Sequence, residues 1–299
     1  MTRIVALGSC VVDLVFRMSR LPARGETLFA DSAGLHPGGK GLNQALAARR
    51  LGAQTAIIGN VGDDMLGEYL LRLLQGEGVD VRHAARDAAN GTGFAAPIVF
   101  PDGGNSILSA PRANLALAPE AVEGARAAIE AADALLLQFE APMEANLAAA
   151  RIARRAGTRV VLNPAPVIPH PPELLRLADV LVVNEVEAAM LVGGDDPAAQ
   201  ARALLAGREL AVVTLGEGGA TFATADSTVA HVDAFAVKAF DSVGAGDAFC
   251  AALAVALCEG MDATAAMRFA SAAGALAVTV AGAATSLPVR AKVEQLLGS

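Results

Sequence analysis

Apolar residues recur along the chain in two rhythms. Short apolar runs that stop at Gly, Asn or a charge read as buried strands, and longer stretches with apolar positions three and four apart read as helices. Residues 4–8, 55–60, 135–137, 159–162, 180–183 and 211–215 belong to the first kind. Residues 41–51, 63–75, a segment opening near Pro119, 143–156, 185–191 and 198–206 belong to the second. Two long Ala-rich helices, 245–259 and 263–280, follow. Strands alternating with helices predict an α/β fold: a mostly parallel central sheet with helices on both faces.

Two stretches, about 10–36 and 92–112, break that rhythm. Residues 11–16 read as a strand with Asp13 at its centre. Residues 94–100 and 106–109 flank Pro101-Asp102-Gly103-Gly104, a hairpin signal. Together they predict a small separate sheet. No linker, charge block or repeat divides the chain, so residues 1–299 are expected to form one catalytic domain.

Composition narrows the classes. Of 299 residues, 54% are hydrophobic and 18% charged, which excludes a disordered chain. No stretch approaches ~20 apolar residues without a charge, which argues against a membrane span. Thirty-one acids against 23 bases give a net charge of −8, which disfavours nucleic acid as a partner and leaves room for a local phosphate pocket. Cys10, Cys250 and Cys258 show neither a disulfide framework nor metal-ligand spacing, and Cys250 and Cys258 read as packed thiols. The opening Met-Thr-Arg-Ile-Val-Ala-Leu-Gly reads as a strand entering a turn rather than a signal peptide. A reducing cytoplasm is the expected setting. His36, His83, His170 and His231 are scattered and read as surface or loop residues. Asp63-Asp64 and Asp195-Asp196 read as helix-start charges.

In open α/β sheets ligands gather beyond the carboxyl ends of the strands. Polar or Gly-rich residues follow strand after strand here: Asp13, Gln138-Phe139-Glu140, Asn163-Pro164-Ala165-Pro166, Asn184-Glu185-Val186-Glu187 and Gly216-Glu217-Gly218-Gly219. The sharpest element is Asp241-Ser242-Val243-Gly244-Ala245-Gly246-Asp247-Ala248-Phe249, which opens a long helix. Gly244, Ala245 and Gly246 let consecutive N–H groups converge, and the helix N-terminus adds partial positive charge, forming a hole for a phosphate or a developing oxyanion. Asp247 beside that hole suits proton abstraction from an attacking hydroxyl. A second loop, Pro37-Gly38-Gly39-Lys40-Gly41-Leu42-Asn43-Gln44, nearly fits a P-loop together with Gly34. Gly41 stands where Ser or Thr should hold Mg²⁺, so that reading fails at its metal ligand. What remains is close backbone approach at the Gly pair and Asn43 as a two-sided partner for hydroxyls. No G-x-G-x-x-G follows the first strand, so a nicotinamide-binding domain is not supported.

Gly38-Gly39-Lys40-Gly41-x-Asn43-Gln44-Ala45 and Asp241-x-x-Gly244-Ala245-Gly246-Asp247-x-Phe249 resemble the two signatures of the ribokinase-like (PfkB) carbohydrate kinases, and the similarity extends over essentially the whole chain. The resemblance implies a three-layer α/β/α domain with a small β-sheet lid, and transfer of the ATP γ-phosphate to a hydroxyl of a small sugar, ribose first among the candidates. By that resemblance Asp247 is the general base and the backbone of Gly244, Ala245 and Gly246 the anion hole. Asp13, Gly39, Lys40, Asn43 and Glu140 match sugar-binding positions. Asn184 and Glu187 match an element that organises Mg²⁺ and phosphate, and Thr214, Gly216 and Gly219 match the nucleotide-binding strand end. Asp241, Val243, Ala277, Val280, Gly282 and Ser286 match a monovalent-cation (K⁺) site. A homodimer formed through the lid is expected of such a member.

One position departs from the family. Gly8-Ser9-Cys10-Val11-Val12-Asp13 carries Val11 where the pattern has an Asn that hydrogen-bonds the sugar. Another sugar with an apolar edge is therefore an alternative acceptor. A nucleoside acceptor ranks lower, because the chain has no Trp, one Tyr and 10 Phe to stack a base. A catalytically silent sugar-binding protein is disfavoured by the intact loop and Asp247.

Overall fold

The computed structural model describes residues 1–100 and 105–298. Its strands are β1 (Arg3–Leu7), β2 (Val11–Arg17), β3 (Ser32–Gly38), β4 (Gln54–Gly62), β5 (Asp80–Asp87), β6 (Gly93–Val99) and β7 (Asn105–Ala110), then β8 (Ala134–Gln138), β9 (Arg159–Asn163), β10 (Val180–Asn184), β11 (Leu210–Thr214), β12 (Ala220–Thr224) and β13 (Val229–Val232). The helices are α1 (Lys40–Arg50), α2 (Met65–Gly76), α3 (Pro119–Gly124), α4 (Arg126–Glu130), α5 (Met143–Ala156) and α6 (Pro172–Leu177), then α7 (Glu185–Val192), α8 (Pro197–Leu205), α9 (Ala245–Cys258), α10 (Ala263–Ala277), α11 (Ala283–Ser286) and α12 (Arg290–Leu297).

Nine strands form one sheet in the order β13-β12-β11-β10-β9-β8-β1-β4-β5. All neighbours are parallel except at one edge, where β12 and β13 are added antiparallel. Successive β1 side chains go to opposite faces, as strand geometry requires. Ile4 and Ala6 join the core under α1, α2, α9, α10 and α12, and Val5 and Leu7 join the core under α3, α4, α5, α6, α7 and α8. The sheet is thus buried on both faces, which is why its central strands are almost continuously apolar. The chain order runs outward from β1 in both directions, to β4 and β5 on one side and to β8 and beyond on the other. The carboxyl ends of β1 and β8 therefore flank the crevice where such sheets take ligands.

The remaining strands make a separate sheet in the order β3-β2-β6-β7. Buried hydrogen bonds pin the places where the chain passes between the sheets. Asn114 Oδ1 accepts from Cys10 N at 2.8 Å, and its Nδ2 donates to Cys10 O at 3.0 Å. Asp64 caps α2 through Gly67 N and also accepts from Thr92 N and Thr92 Oγ1, at 2.8 and 2.6 Å. Leaving such buried groups unpaired costs about 1–3 kcal/mol each, so the second sheet is held in place rather than tethered.

The alternating core agrees with the sequence, and the differences lie at edges and ends. β5, β12 and β13 are edge strands or their neighbours whose apolar alternation is weak. β3 is an edge strand hidden behind Gly34, Pro37 and Gly38, and Pro is tolerated there because no ladder donor is needed. The helix expected near Pro119 is two short helices meeting at Ala125. The helix expected to reach Val280 ends at Ala277, because Val278 O is taken by Phe240 N and Asp241 N at 2.7 and 3.1 Å. The hairpin turn at Pro101-Asp102-Gly103-Gly104 lies outside the described residues. No helix among the described residues is long and apolar enough to cross a membrane.

Candidate active site

Asp247 sits in the first turn of α9 and is 5% exposed. Gly244 caps the helix at φ 84°, a left-handed conformation that favours glycine, and a Cβ there would fall 3.0 Å from Ala283 Cα. The first in-register helical bond runs from Ala248 N to Gly244 O at 2.9 Å. The N–H groups of Gly246 and Asp247 precede it and have no carbonyl one turn back. No heavy atom outside the local chain lies within 4 Å of where a Gly246 Cβ would be, so the loop opens onto space. Three small residues and an acid therefore form an open loop at a helix start, with two N–H groups unclaimed by the helix.

Helix α1 meets this loop from the other side. Asn43 Nδ2 donates to Asp247 Oδ2 at 2.8 Å, and Gln44 Nε2 donates to Asp247 Oδ1 at 3.1 Å. Asn43 Oδ1 is buried with no hydrogen-bond partner among the described residues. A buried amide oxygen left so calls for a donor from outside the chain, and a hydroxyl supplies one. Gly39 caps α1, and the Lys40 N–H donates to Glu140 Oε2 at 2.9 Å, as does Ser9 Oγ. Burial works to lower the pKa of the half-buried Lys40, but Asp247, Glu140 and Glu187 outweigh it and hold the ammonium above its usual range.

From the second sheet comes Asp13. It pairs with His36 on β3, and its Oδ2 lies 2.3 Å from where a Cβ on Gly38 would sit, so only glycine lets the carboxylate occupy this place. Burial first, and Glu140 second, push the Asp13 carboxyl up to about 6. Alternation along β2 puts Val11 on the same face as Asp13, buried at 9% exposure. Asp13, Lys40, Asn43, Glu140 and Asp247 thus meet in one crevice between the two sheets.

The other expected residues line its continuation along the sheet's carboxyl edge. Asn184 and Glu187 form a capping box at the start of α7: Glu187 N donates to Asn184 Oδ1 at 2.7 Å, and Asn184 N to Glu187 Oε2 at 2.9 Å. Thr214 ends β11 and donates to Val183 O at 3.3 Å, and Gly216 and Gly219 shape the turn beyond it. Among the described residues no three His, Cys, Asp or Glu side chains cluster as a metal cage. A divalent ion here would draw on the half-buried Glu187 carboxylate, water and its own phosphate. Asp241 Oδ1 accepts from Val243 N at 3.0 Å and Oδ2 from Gly282 N at 2.8 Å. Together with the bonds from Phe240 N and Asp241 N to Val278 O, these hold the loop before α9 against the loop after α10.

Sequence reasoning missed Ser9, Gln44 and Gln138 as site residues, although all three stood in motifs it quoted. Each is a buried polar residue at a strand end or in a helix start, and burial is invisible before the fold is known. None of the four histidines is buried; His36, His83 and His231 lie on strands. Cys10, Cys250 and Cys258 are unpaired thiols, the first two buried.

With this geometry in view, likeness to known proteins is informative. Residues 1–290 match the pfkB family carbohydrate kinase pattern. The chain is 38% identical to ribokinase of Bacillus subtilis over 299 residues, covering 99% of this chain and 100% of the relative. It is 35% identical to deoxyribokinase of Salmonella typhi, covering 95% of each. The structure of Arabidopsis thaliana ribokinase complexed with ribose and ATP superposes with a TM-score of 0.91 at 32% identity, covering all of both chains. The chain belongs to the pfkB family of carbohydrate kinases.

Proposed function

We propose that the chain transfers the γ-phosphate of ATP to a hydroxyl of ribose. The observation that carries this reading is Asp247: a buried carboxylate beside an open anion hole, held by Asn43, whose free oxygen awaits a hydroxyl. Asp13 and Glu140 accept hydrogen bonds from sugar hydroxyls, and Gly39, Lys40 and Asn43 complete the cradle. As the acceptor oxygen bonds to the γ-phosphorus, its proton passes to Asp247 and the bond to the β-phosphate oxygen breaks, releasing ADP. The free N–H groups of Gly246 and Asp247, in the loop shaped by Gly244, Ala245 and Gly246, would face the transferring phosphoryl oxygens, and the Lys40 ammonium would add positive charge. Thr214, Gly216 and Gly219 hold the nucleotide. Mg²⁺ near Asn184 and Glu187 would neutralise phosphate charge when bound. K⁺ at the loop of Asp241, Val243, Ala277, Val280, Gly282 and Ser286 would fix the anion hole's shape without touching substrate.

A coupled assay of ADP release over pentoses, hexoses and nucleosides tests this reading. Ribose-dependent ADP release supports it, and equal background release with every sugar contradicts it. One observation favours 2-deoxyribose as a second acceptor. Val11 presents buried methyl groups beside Asp13, which suits a sugar lacking one hydroxyl, and a deoxyribokinase is among the relatives.

The second sheet also supports a homodimer. Leu14 pairs with Leu35, Phe94 with Val12 and Leu108 with Ala96, on the face opposite Asp13 and His36. Leu35 is 56% and Leu108 68% exposed. An apolar sheet face left in water marks a contact surface, and a second copy covers it symmetrically. Three unpaired thiols suit a reducing cytoplasm.

A further inference from the structure

We propose that Gln44 and Gln138 form a buried amide relay that holds the Asp247 carboxylate in one orientation, which makes both of them positioning residues for the proton transfer. The inference rests on the reading of Asp247 as the base. Gln138 closes β8 at the middle of the sheet and is fully buried, and Gln44 on α1 is 1% exposed. Gln138 Nε2 donates to Gln44 Oε1 at 2.7 Å. That bond decides which end of the Gln44 amide faces which neighbour. With its oxygen taken, Gln44 turns its NH₂ group to Asp247 Oδ1. Asn43 holds the other oxygen. Two donors on two oxygens, from consecutive residues of one helix, leave the carboxylate a single plane.

Packing does not explain this choice of residues. Buried amides are costly unless hydrogen-bonded, and Leu or Met would fill the same volume without that demand. The neighbourhood is also built around the relay. Asn146 Nδ2 donates to Gln138 O at 3.0 Å and to Ala141 O at 3.2 Å, fixing the strand end. A Cβ on residue 8 would fall 2.1 Å from Gln138 Oε1, so Gly8 at the end of β1 makes room for the amide. The charged and titratable groups facing Asp247 are Lys40 at the start of α1 and Cys250 within α9, with Glu140 and Glu187 beyond Lys40. Among the described residues none of them hydrogen-bonds to the carboxylate, so its orientation is left to the amides.

The test compares kcat, KM for ribose, and the pH dependence of kcat in the wild type, Gln44→Met, Gln138→Met, Gln44→Glu and Asp247→Asn. Gln44→Met should lower kcat about 10- to 100-fold while KM for ribose stays near the wild-type value. The acid limb of its kcat profile should move to higher pH, because an N–H donated to a carboxylate favours the charged form. Gln138→Met should shift kcat and the limb in the same direction by less, since the Gln44 amide is then free to turn. Gln44→Glu should move the limb furthest, through like charge. A lower kcat with an unmoved acid limb would mean packing alone and would overturn the relay. So would an unchanged kcat, or a raised KM alone, in both Met variants. If Asp247→Asn is inactive while both Met variants behave as wild type, the relay falls and the base stands. If Asp247→Asn retains turnover, both fall.

Discussion

Asp241 Oδ2 accepts the Gly282 N–H at 2.8 Å, joining two loops that lie 41 residues apart in sequence. Its other oxygen accepts from Val243 N at 3.0 Å, directly before the Gly244 cap of α9. One carboxylate thus ties the loop that opens α9 to the loop that follows α10. A monovalent cation among the nearby carbonyls would balance its charge. Replacing choline chloride by KCl at equal ionic strength should raise turnover several-fold, and Asp241→Asn should remove that response. Equal rates in both salts for the wild type would refute the cation site.

Asp13 carries a pH signature. Its folded-state pKa is raised to about 6, by burial first and Glu140 second, so the ionised form is disfavoured by folding. A raised carboxyl gives stability that is full below its unfolded pKa and lost as pH rises through the folded one. Asp13→Asn should therefore melt higher than the wild type at pH 8, with the gain shrinking below pH 6 and gone by about pH 4. In the wild type, KM for ribose should rise as pH falls through 6, because protonation takes away hydroxyl acceptors. Melting curves and KM values that track each other in both proteins across this range would contradict the assignment.

In the proposed function Val11 has a say between ribose and 2-deoxyribose. An unpaired buried hydroxyl costs roughly 1–3 kcal/mol, or about 5- to 150-fold. Val11→Asn should therefore raise kcat/KM for ribose relative to 2-deoxyribose by about fivefold or more. An unchanged ratio would show that Val11 does not touch the sugar.

The exposed leucines of the second sheet predict assembly. Light scattering should report a dimer for the wild type at micromolar concentration and a monomer for Leu35→Lys combined with Leu108→Lys. A wild-type monomer would contradict the covered-face reading.

How much of this was legible in the sequence follows from what each signal measures. Buried parallel strands such as β8, with Leu135, Leu136 and Leu137 in a row, and amphipathic helices such as α5 announce themselves, because burial on two faces or one leaves a periodic trace. The edge strands β3, β5 and β13 do not, since half their surface meets water and their neighbours decide them. The Gly-rich loop before Asp247 was readable as a helix start because its residue types and the following helix constrain each other. Glu140 was placed only by resemblance: its partners, Ser9 and the Lys40 N–H, lie 131 and 100 residues away. Gln44 and Gln138 were in view but mute, since an amide's role depends on which neighbours burial brings to it.

The most direct test of the account is ATP-dependent formation of ribose phosphate by Asp247→Asn, measured beside the wild type, with ribose binding followed by calorimetry. The substitution keeps shape and removes the proton acceptor. Turnover should fall roughly 10²- to 10⁴-fold or more while ribose still binds with near-normal affinity, because Asp13, Asn43 and Glu140 remain. Near-wild-type turnover, or wild-type protein that forms no sugar phosphate from ATP, would contradict it.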